Sequence, residues 1–470
     1  MLDVSPEDIT EGRLIRAMLV LSAPLLVQNV VQVAQQVIDL FWLGRLSGEA
    51  VAAMGLVFPL VALVLALGLF APFVGTQVVV SQRVGGEDRS AARRGLFSGL
   101  LLAAALGTGV GLAVSLGARP LVDLLTFTRP APVAGKVPEM AASYLGIIAL
   151  GLPLLALSDT TEAGFVGWGD SRAALYMNVI AVAVNATLDP VFIFGLGGVP
   201  AMGISGAALA TVVGYSTAFV FGLGLIVRGR NDRMLSRADA TLHLGDVREV
   251  VDVGWPTAGQ QAARHVVRVL IIVVVFAVGG PAGLAAYIVG ARVASIAFIP
   301  ATGLQQAAQS VVGQNLGADR PDRASRATWS GAGIAGATLG AVGLIQWLVP
   351  GTITALLVPN IGAQAFALSV LYLQILAIGY PAIGAVSLLE AGFNGARRTR
   401  VSFVATLLQF GAVRLPIAAV GAIVLGFGMV AVFWAVTLSN LLAAIGLAAY
   451  YRYATATGML ERAAAQATAE

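Results

Sequence analysis

The sequence predicts an all-α membrane protein in which twelve transmembrane helices form two lobes of six helices each. Three observations lead to this prediction. Hydrophobic residues make up 58% of the 470 residues, only 11% are charged, and the mean hydropathy is +0.87, whereas about a quarter of the residues are charged in a typical soluble domain. About twelve stretches are apolar over the roughly 20 residues that a spanning helix needs. The first half of the chain also recurs in the second half.

The apolar stretches follow one another with short polar connections. Glycine is abundant at 56 residues, which is typical of membrane helices that approach closely through small side chains. Cysteine is absent, so disulfides, thiolate metal sites and cysteine nucleophiles are excluded. To within a few residues, we place the stretches at 14–41, 50–81, 94–117, 139–158, 172–195, 202–228, 247–279, 282–315, 326–349, 362–390, 399–424 and 428–452.

An internal repeat organises the chain. Residues 16–94 align without a gap with residues 248–326 at a constant offset of 232. Because each copy holds six spans, an even number, both copies enter the membrane in the same direction, and such parallel repeats are typical of transporters. The matching pairs include Arg16 and Arg248, Pro24 and Pro256, Gln28 and Gln260, Gly48 and Gly280, and Gln77 and Gln309. Beyond this alignment, the tetrapeptide that begins at Glu162 recurs at Glu390, at an offset of 228.

The longest hydrophilic stretch, 228–248, separates the two copies. We therefore predict an N lobe at 1–228, a cytoplasmic inter-lobe loop at 229–246, a C lobe at 247–455 and a cytoplasmic tail at 456–470.

The basic residues predict the orientation in the membrane. With the N-terminus inside, twenty of the 28 Lys and Arg residues fall on the cytoplasmic side, four fall outside, and the remaining four lie within spans. Because positive loops stay in the cytoplasm, we expect a multi-pass protein of the cell membrane with both termini cytoplasmic. The high pI of about 9.6 then reflects this topology, and we expect no nucleic-acid partner.

Proline and aspartate residues interrupt the apolar spans of the first copy. Pro24, like Pro256, lies inside a span, where a proline removes a backbone hydrogen bond and favours a kink, either static or acting as a hinge.

Asp39 and Asp189 lie in apolar segments where an ionised carboxylate is costly, which favours reversible protonation. Alternatively, Asp39 and Asp189 cap the ends of their helices near the outer surface. Asn185 lies on the same helical face as Asp189 and could donate to it or hold a water.

Five segments of the first copy carry a family resemblance: Leu21-Ser22-Ala23-Pro24, Val37-Ile38-Asp39, Trp42-Leu43-Gly44, Ala52-Ala53-Met54-Gly55 and Asn185 to Ile193. By their order and spacing, the chain resembles the multidrug and toxic compound extrusion (MATE) family, in particular its DinF-like branch, over roughly residues 10 to 455. The resemblance implies a V-shaped twelve-helix exporter that expels amphipathic compounds in exchange for protons or sodium ions and works as a monomer. It also implies a cation-binding cluster of Asp39, Asn185 and Asp189, to which Thr211 contributes unless it only packs.

Glu162 departs from the pattern of the resembling branch, which often carries asparagine there. It could join the proton relay or pair with Arg172 at the cytoplasmic end of its span. Because Glu390 occupies the equivalent place in the second copy, a structural task shared by both lobes is the third interpretation.

The C lobe carries basic residue types inside its spans, and the histidine among them is expected to be packed in its neutral form. They are Arg264, His265, Arg268, Arg292 and Arg414. Arg264 stands where the sodium-coupled branch of the family carries a glutamate, which disfavours a sodium site in this lobe. The arginines could snorkel, pair with Glu390 or face a hydrated cavity. A cavity would favour anionic or zwitterionic substrates, including lipid head groups.

Glutamines form polar strips at helical spacing in both copies. Such strips usually hold helices together, but uncharged amides could also line a binding cavity for varied ligands. The candidate cavity residues are Gln28, Gln32, Gln35, Gln260, Gln261, Arg264 and Arg292.

These features favour a proton-coupled antiporter that exports small amphipathic organic compounds. The alternatives are a flippase or exporter of a lipid or lipid-linked substrate, and sodium-coupled antiport through Asp39, Asn185 and Asp189. We expect no cofactor beyond the coupling ion and no partners beyond the substrates and membrane lipids. An enzyme is disfavoured, because the sequence contains no zinc-type His/Glu spacing, Gly-rich phosphate loop or nucleophile with a matching base.

Overall fold

The computed structural model describes residues 6–127, 136–232, 234–236, 238–239, 241–358 and 362–469. Within these ranges the chain is helical and contains no β-strand, which confirms the predicted all-α fold class. Ten of the described helices are long and apolar enough to cross a membrane. Two bent helix pairs, with angles of 46° and 49° at their breaks, raise the number to as many as twelve if each pair is one span, which matches the prediction.

The chain divides into two compact units, and the division differs from the predicted lobe boundary at residues 229–246. The first unit contains Val27–Gln261, and the second contains Leu2–Leu26 together with Ala262–Glu470. The start of the first long helix of each repeat thus packs with the opposite copy. Each proline predicted to kink these helices, Pro24 and Pro256, lies a few residues before the change of unit, and neither interrupts its helix.

The first unit is a bundle of long helices around an apolar core. The core includes Leu56, Val57, Leu145, Ile148 and Leu152, all nearly inaccessible to solvent. The helices are the later part of α2 (Leu14–Leu46), α3 (Gly48–Gly85), α4 (Arg89–Leu116), α5 (Ala118–Phe127), α6 (Val137–Gly167), α7 (Ser171–Phe194), α8 (Ile204–Val227) and the start of α9 (Leu244–Ala297).

Local sequence explains where several of these helices begin and end. The side chains of Ser47, Asp88 and Asp170 accept hydrogen bonds from backbone N–H groups three residues later, at 3.0, 2.8 and 3.0 Å, as preferred N-cap residues do. Gly195 ends α7 in the left-handed conformation with φ of 76°, which a residue without a Cβ adopts at little cost. These caps fix the ends of the helix that carries Asn185 and Asp189.

The second unit repeats this plan with more interruptions. Gly280 breaks α9 with φ of 55° and ψ of −153°, and a π-helix spans Leu407–Arg414 just before Pro416, where a proline removes a backbone donor. The remaining helices are α1 (Pro6–Thr10), the start of α2, α10 (Ile299–Gly317), α11 (Pro321–Leu348), α12 (Pro350–Leu357), α13 (Ala363–Ile378), α14 (Tyr380–Gly395), α15 (Thr399–Thr406), α16 (Leu415–Ala419), α17 (Gly428–Ala456) and α18 (Met459–Ala469). The predicted tail is thus largely α18.

Ion pairs attach the polar connection between the copies to the first unit. The buried Arg83 guanidinium lies 2.6 Å from both Asp246 and Glu249 at the start of α9. Farther up the connection, Arg93 pairs with Asp239 at 3.3 Å. A hydrogen bond from Ser90 and the charge of Arg93 lower the pKa of Asp239, so this contact is retained until the pH falls below the ordinary aspartate value near 3.8.

The N-terminal segment is attached to the second unit in the equivalent place. Arg323 donates to the backbone carbonyls of Ile9 and Gly12 at 3.1 and 2.9 Å, and Arg320 pairs with Glu11 at 2.7 Å. Each unit therefore holds a segment of the other copy through arginines near the polar end of its helices.

Candidate functional site

An acidic site lies inside the first unit, where four helices bring together five polar side chains. Asp39 comes from α2, Asn185 and Asp189 come from α7, Thr211 comes from α8, and Tyr144 comes from α6. Asn185 and Asp189 are almost completely buried, and Tyr144 lies close enough to Thr211 and to both carboxyl groups to interact with them. The structure thus brings together the four residues expected to bind the coupling ion and adds Tyr144.

The side-chain amide of Asn185 lies at the centre of this site. The orientation that suits its neighbours directs its nitrogen to Asp39 Oδ1 at 2.9 Å and its oxygen to the backbone N–H and the hydroxyl of Thr211 at 3.2 and 3.3 Å. Gln35, expected to line a substrate cavity, also approaches this amide, with Nε2 at 3.1 Å. The amide therefore fixes the position of the Asp39 carboxyl group relative to α7 and α8.

The carboxyl groups of Asp39 and Asp189 lie close enough to act on each other electrostatically. Two ionised carboxylates repel each other in a buried site, so a proton or a cation held between them would stabilise the pair. Among the described residues, the buried Oδ2 atom of Asp189 has no hydrogen-bond donor. The side chains of this site offer carboxylate, hydroxyl and amide oxygen atoms, a donor type that suits a proton or a small hard cation.

The equivalent place in the second unit is apolar. Ile271 occupies the position of Asp39, is 1% exposed and belongs to a hydrophobic cluster with Val267, Val275 and Phe433. The acidic site is therefore a property of one copy. The contrast argues against a capping role for Asp39, because a cap needed by the fold would recur in the repeat.

Glu162 forms a second polar group in the first unit. It is buried and accepts a hydrogen bond from Gln28, another expected cavity residue. Asp159 and Tyr215 lie close enough to interact with it electrostatically. Tyr144 and Tyr215, which sequence reasoning missed, connect the surroundings of Asp39 with those of Glu162. Their apolar rings give no sign of this role in the sequence.

Glu390 has a different partner from Glu162, although the two are related by the repeat. The Arg264 guanidinium donates to both Glu390 oxygens at 2.9 and 3.0 Å, and Gln305 approaches at 3.5 Å. One glutamate thus faces an amide and the other a cation. This difference argues against a single structural task shared by both copies.

Arg414 lies deep in the second unit among neutral partners. It donates to Ser439 Oγ and Asn440 Oδ1, both at 2.8 Å, and its guanidinium stacks 4.0 Å from the centre of the Phe410 ring. Arg264 approaches the same ring at 5.8 Å. The second unit therefore contains a basic, aromatic cluster.

The other expected cavity residues do not join these groups in one place. Gln260 is buried in the part of α9 that belongs to the first unit, and Gln261 is half-buried beside it. Gln32 is half-buried in α2, about one helical turn before Gln35 and two turns before Asp39. Arg292 is exposed on α9, where its backbone carbonyl accepts from Ser295.

Comparison with known sequences finds one family model, MatE, that matches residues 24–191 and 256–420. The two matched regions correspond to the two copies of the repeat. A probable multidrug resistance protein NorM from Deinococcus radiodurans is 30% identical over 464 residues, covering 94% of this chain and 96% of that protein. An FAD transporter from Shewanella oneidensis is 26% identical over 446 residues, covering 93% of each chain.

Solved structures have the same fold. A MATE protein in complex with MaL6 superposes with a TM-score of 0.87 at 22% identity, covering 98% of this chain and 100% of the other. A MOP superfamily transporter from Pyrococcus furiosus, described as having a binding pocket of reverse polarity, gives a TM-score of 0.87 at 22% identity and covers 97% of this chain and 99% of its own.

Proposed function

The chain belongs to the MatE family and is a multi-pass membrane transporter of the multidrug efflux type rather than an enzyme, and we propose that it exports small amphipathic organic compounds in exchange for protons. The acidic site built by Asp39, Asn185 and Asp189 is the observation that carries this proposal. Intramembrane acids are rare and commonly mark ion pathways. No resident cofactor is needed.

The chemistry of the site suits a proton. With both carboxyl groups ionised, two negative charges repel each other in a low-dielectric interior. One proton removes this repulsion and lets the two groups share a hydrogen bond, while Asn185 holds the remaining acceptor of Asp39. Binding and release of a proton therefore change the charge and the packing between α2 and α7, which can bias the protein between two access states.

The membrane potential supplies the driving force. Each proton that moves inward through a potential of 100 mV yields about 2.3 kcal/mol, which corresponds to a concentration ratio of roughly 50 for a neutral substrate. We propose that the protein lies in the cell membrane with both termini on its cytoplasmic side, as the distribution of its arginines favours. Sodium-coupled antiport through Asp39, Asn185 and Asp189 is the alternative to proton coupling. We propose further that the transporter works as a monomer.

Reconstituted protein tests the proposal directly. In liposomes, an imposed proton gradient should drive uphill movement of an amphipathic dye, and D39N and D189N should each abolish that movement. D123N is the matched control, because Asp123 is an exposed carboxylate paired with Arg119 on α5. Export that survives in D189N, or that follows a sodium gradient without a proton gradient, would reject proton coupling at this site.

A second candidate function is the movement of a lipid or a lipid-linked substrate, favoured by the arginines of the second unit, which suit a phosphate head group. A scrambling assay with fluorescent phospholipid in the same liposomes separates the two functions. An antiporter of soluble compounds should leave the labelled lipid on its original side of the bilayer.

A further inference from the structure

The cationic cluster of the second unit lies at the middle of its spans, outside the acidic site. It consists of Arg264 and Arg414, whose guanidinium groups lie 5.8 and 4.0 Å from the centre of the Phe410 ring, and of Arg268, four residues after Arg264 on α9. Arg264 and Arg268 are four residues apart and share one helical face. The charges of Arg264 and Arg268 both act on Arg414. Three guanidinium groups are thus within electrostatic reach of one another.

The cluster has fewer anions than cations. Glu390 pairs with Arg264 through both oxygens, which leaves the charges of Arg268 and Arg414. Arg414 binds only neutral side chains, Ser439 and Asn440, and no described acidic side chain forms an ion pair with either arginine. Cations within the hydrocarbon region are costly unless they are paired or hydrated, so an anion would stabilise this arrangement.

A ring beside the arginines favours an anion that carries an aromatic or flat apolar body. The half-buried ring of Tyr287 stacks on the buried ring of Tyr372 at a centroid distance of 5.7 Å, and the charges of Arg268 and Arg414 act on it. Arg268 is exposed and Phe410 is partly exposed. Guanidinium groups bind phosphate and carboxylate in a forked geometry and stack on rings.

We propose that the cluster of Arg264, Arg268 and Arg414 binds the phosphate or carboxylate group of the transported compound, so that the preferred substrates are amphipathic anions. This inference rests on the proposed function, because it assigns the charge of the exported compound. Arg268 and Arg414 supply the binding charges. Glu390 holds Arg264 in place and limits the net charge of the empty site.

Three probes with one ring system test the charge preference: 1-naphthyl phosphate, 1-naphthol and 1-naphthyltrimethylammonium. Their binding to the full chain in phosphatidylcholine nanodiscs is measured by equilibrium dialysis, with empty nanodiscs subtracted. We expect naphthyl phosphate to bind at least about tenfold more tightly than naphthol, as one charge-assisted hydrogen bond provides, and the ammonium probe to bind most weakly. Equal affinity for the phosphate and the alcohol, or preference for the ammonium probe, would overturn the proposal.

Substitutions locate the site. R268Q should weaken naphthyl phosphate binding about tenfold and leave naphthol unchanged, and R268K should retain most of the affinity. R400Q removes a charge from the exposed end of α15, on the same span as Arg414, and should change nothing. If R268Q folds normally by its melting temperature and binds the phosphate like the unaltered protein, the cluster is not the site.

Displacement of the probe by phosphatidylglycerol would identify a lipid head group as the source of the anion, and no displacement would identify a soluble one.

The binding assay requires no transport, so the two proposals fail separately. Loss of proton-driven export in D189N together with no preference for naphthyl phosphate would overturn the anion inference alone. A clear preference for naphthyl phosphate in a protein that exports nothing on a proton gradient would overturn proton coupling alone.

Discussion

The two repeat-related glutamates show how one residue type acquires opposite roles from its neighbours. Glu162 accepts from the neutral Gln28 amide, and Glu390 binds the Arg264 cation. In the first copy, Gln32 occupies the position equivalent to Arg264. The two copies therefore differ in the charge of the side chain at this position. Glu162 thus faces a neutral partner, whereas Glu390 is held in an ion pair.

Replacement of each glutamate by glutamine should therefore have different effects on stability. E162Q keeps a hydrogen-bonding group opposite Gln28 and should leave the melting temperature within a few degrees of its original value. E390Q leaves Arg264 without its carboxylate and should lower the free energy of unfolding by roughly 2 kcal/mol, below the 3–5 kcal/mol of fully buried pairs because Arg264 is a third exposed. Thermal unfolding in detergent measures both, and equal losses would show that the two glutamates have the same structural role.

At the scale of helices, α9 joins the first unit through an unusually close approach to α3. Gly254 allows this contact, because a Cβ atom there would lie 1.9 Å from the carbonyl oxygen of Ala71. Val250 and Val253 complete the contact by packing with Val74 and Val78. The approach of the two backbones, rather than the polar connection alone, assigns the start of α9 to the first unit.

Gly254→Ala should weaken this contact. The added methyl group meets a backbone atom that cannot move aside cheaply, so we expect a loss of about 1–3 kcal/mol, although alanine is the better helix former by about 1 kcal/mol. Gly55→Ala is the matched control, since nothing lies within 4 Å of a Cβ at that position of α3. Melting temperatures of the two variants in detergent provide the comparison, and an unaltered value for Gly254→Ala would contradict the contact.

At the scale of the whole molecule, the sequence predicts the all-α class, the span number and the acidic residues, because hydropathy, repetition and rare intramembrane charges are visible along the chain. The division into compact units was not predictable. The division depends on which helices α2 and α9 pack against, as in the contact of Gly254 with Ala71. The alignment of the two repeats contains no information about this packing. Tyr144 and Tyr215 were missed for the same reason, since only the fold turns them toward carboxyl groups.

Because the two copies exchange helix segments, we predict that the protein stays assembled when the polypeptide is cleaved between them. A protease site inserted after Ser236 would leave residues up to Leu26 packed on the second unit and residues from Leu244 packed on the first. After cleavage in mild detergent, the two fragments should elute together from a sizing column. Adding Arg83→Ala, which removes the ion pairs to Asp246 and Glu249, should promote their separation, and fragments that part without it would contradict the prediction.

The crossing of α2 and α9 between units also bears on the origin of the repeat. A single ancestral copy with this architecture could not complete its own bundle, because its first helix begins on the surface of another copy. It would have been stable as a dimer that traded N-terminal arms, a common route to self-association. Gene fusion would then have made the exchange of helix segments permanent, and it would have allowed the two copies to diverge, as Asp39 and Ile271 do now.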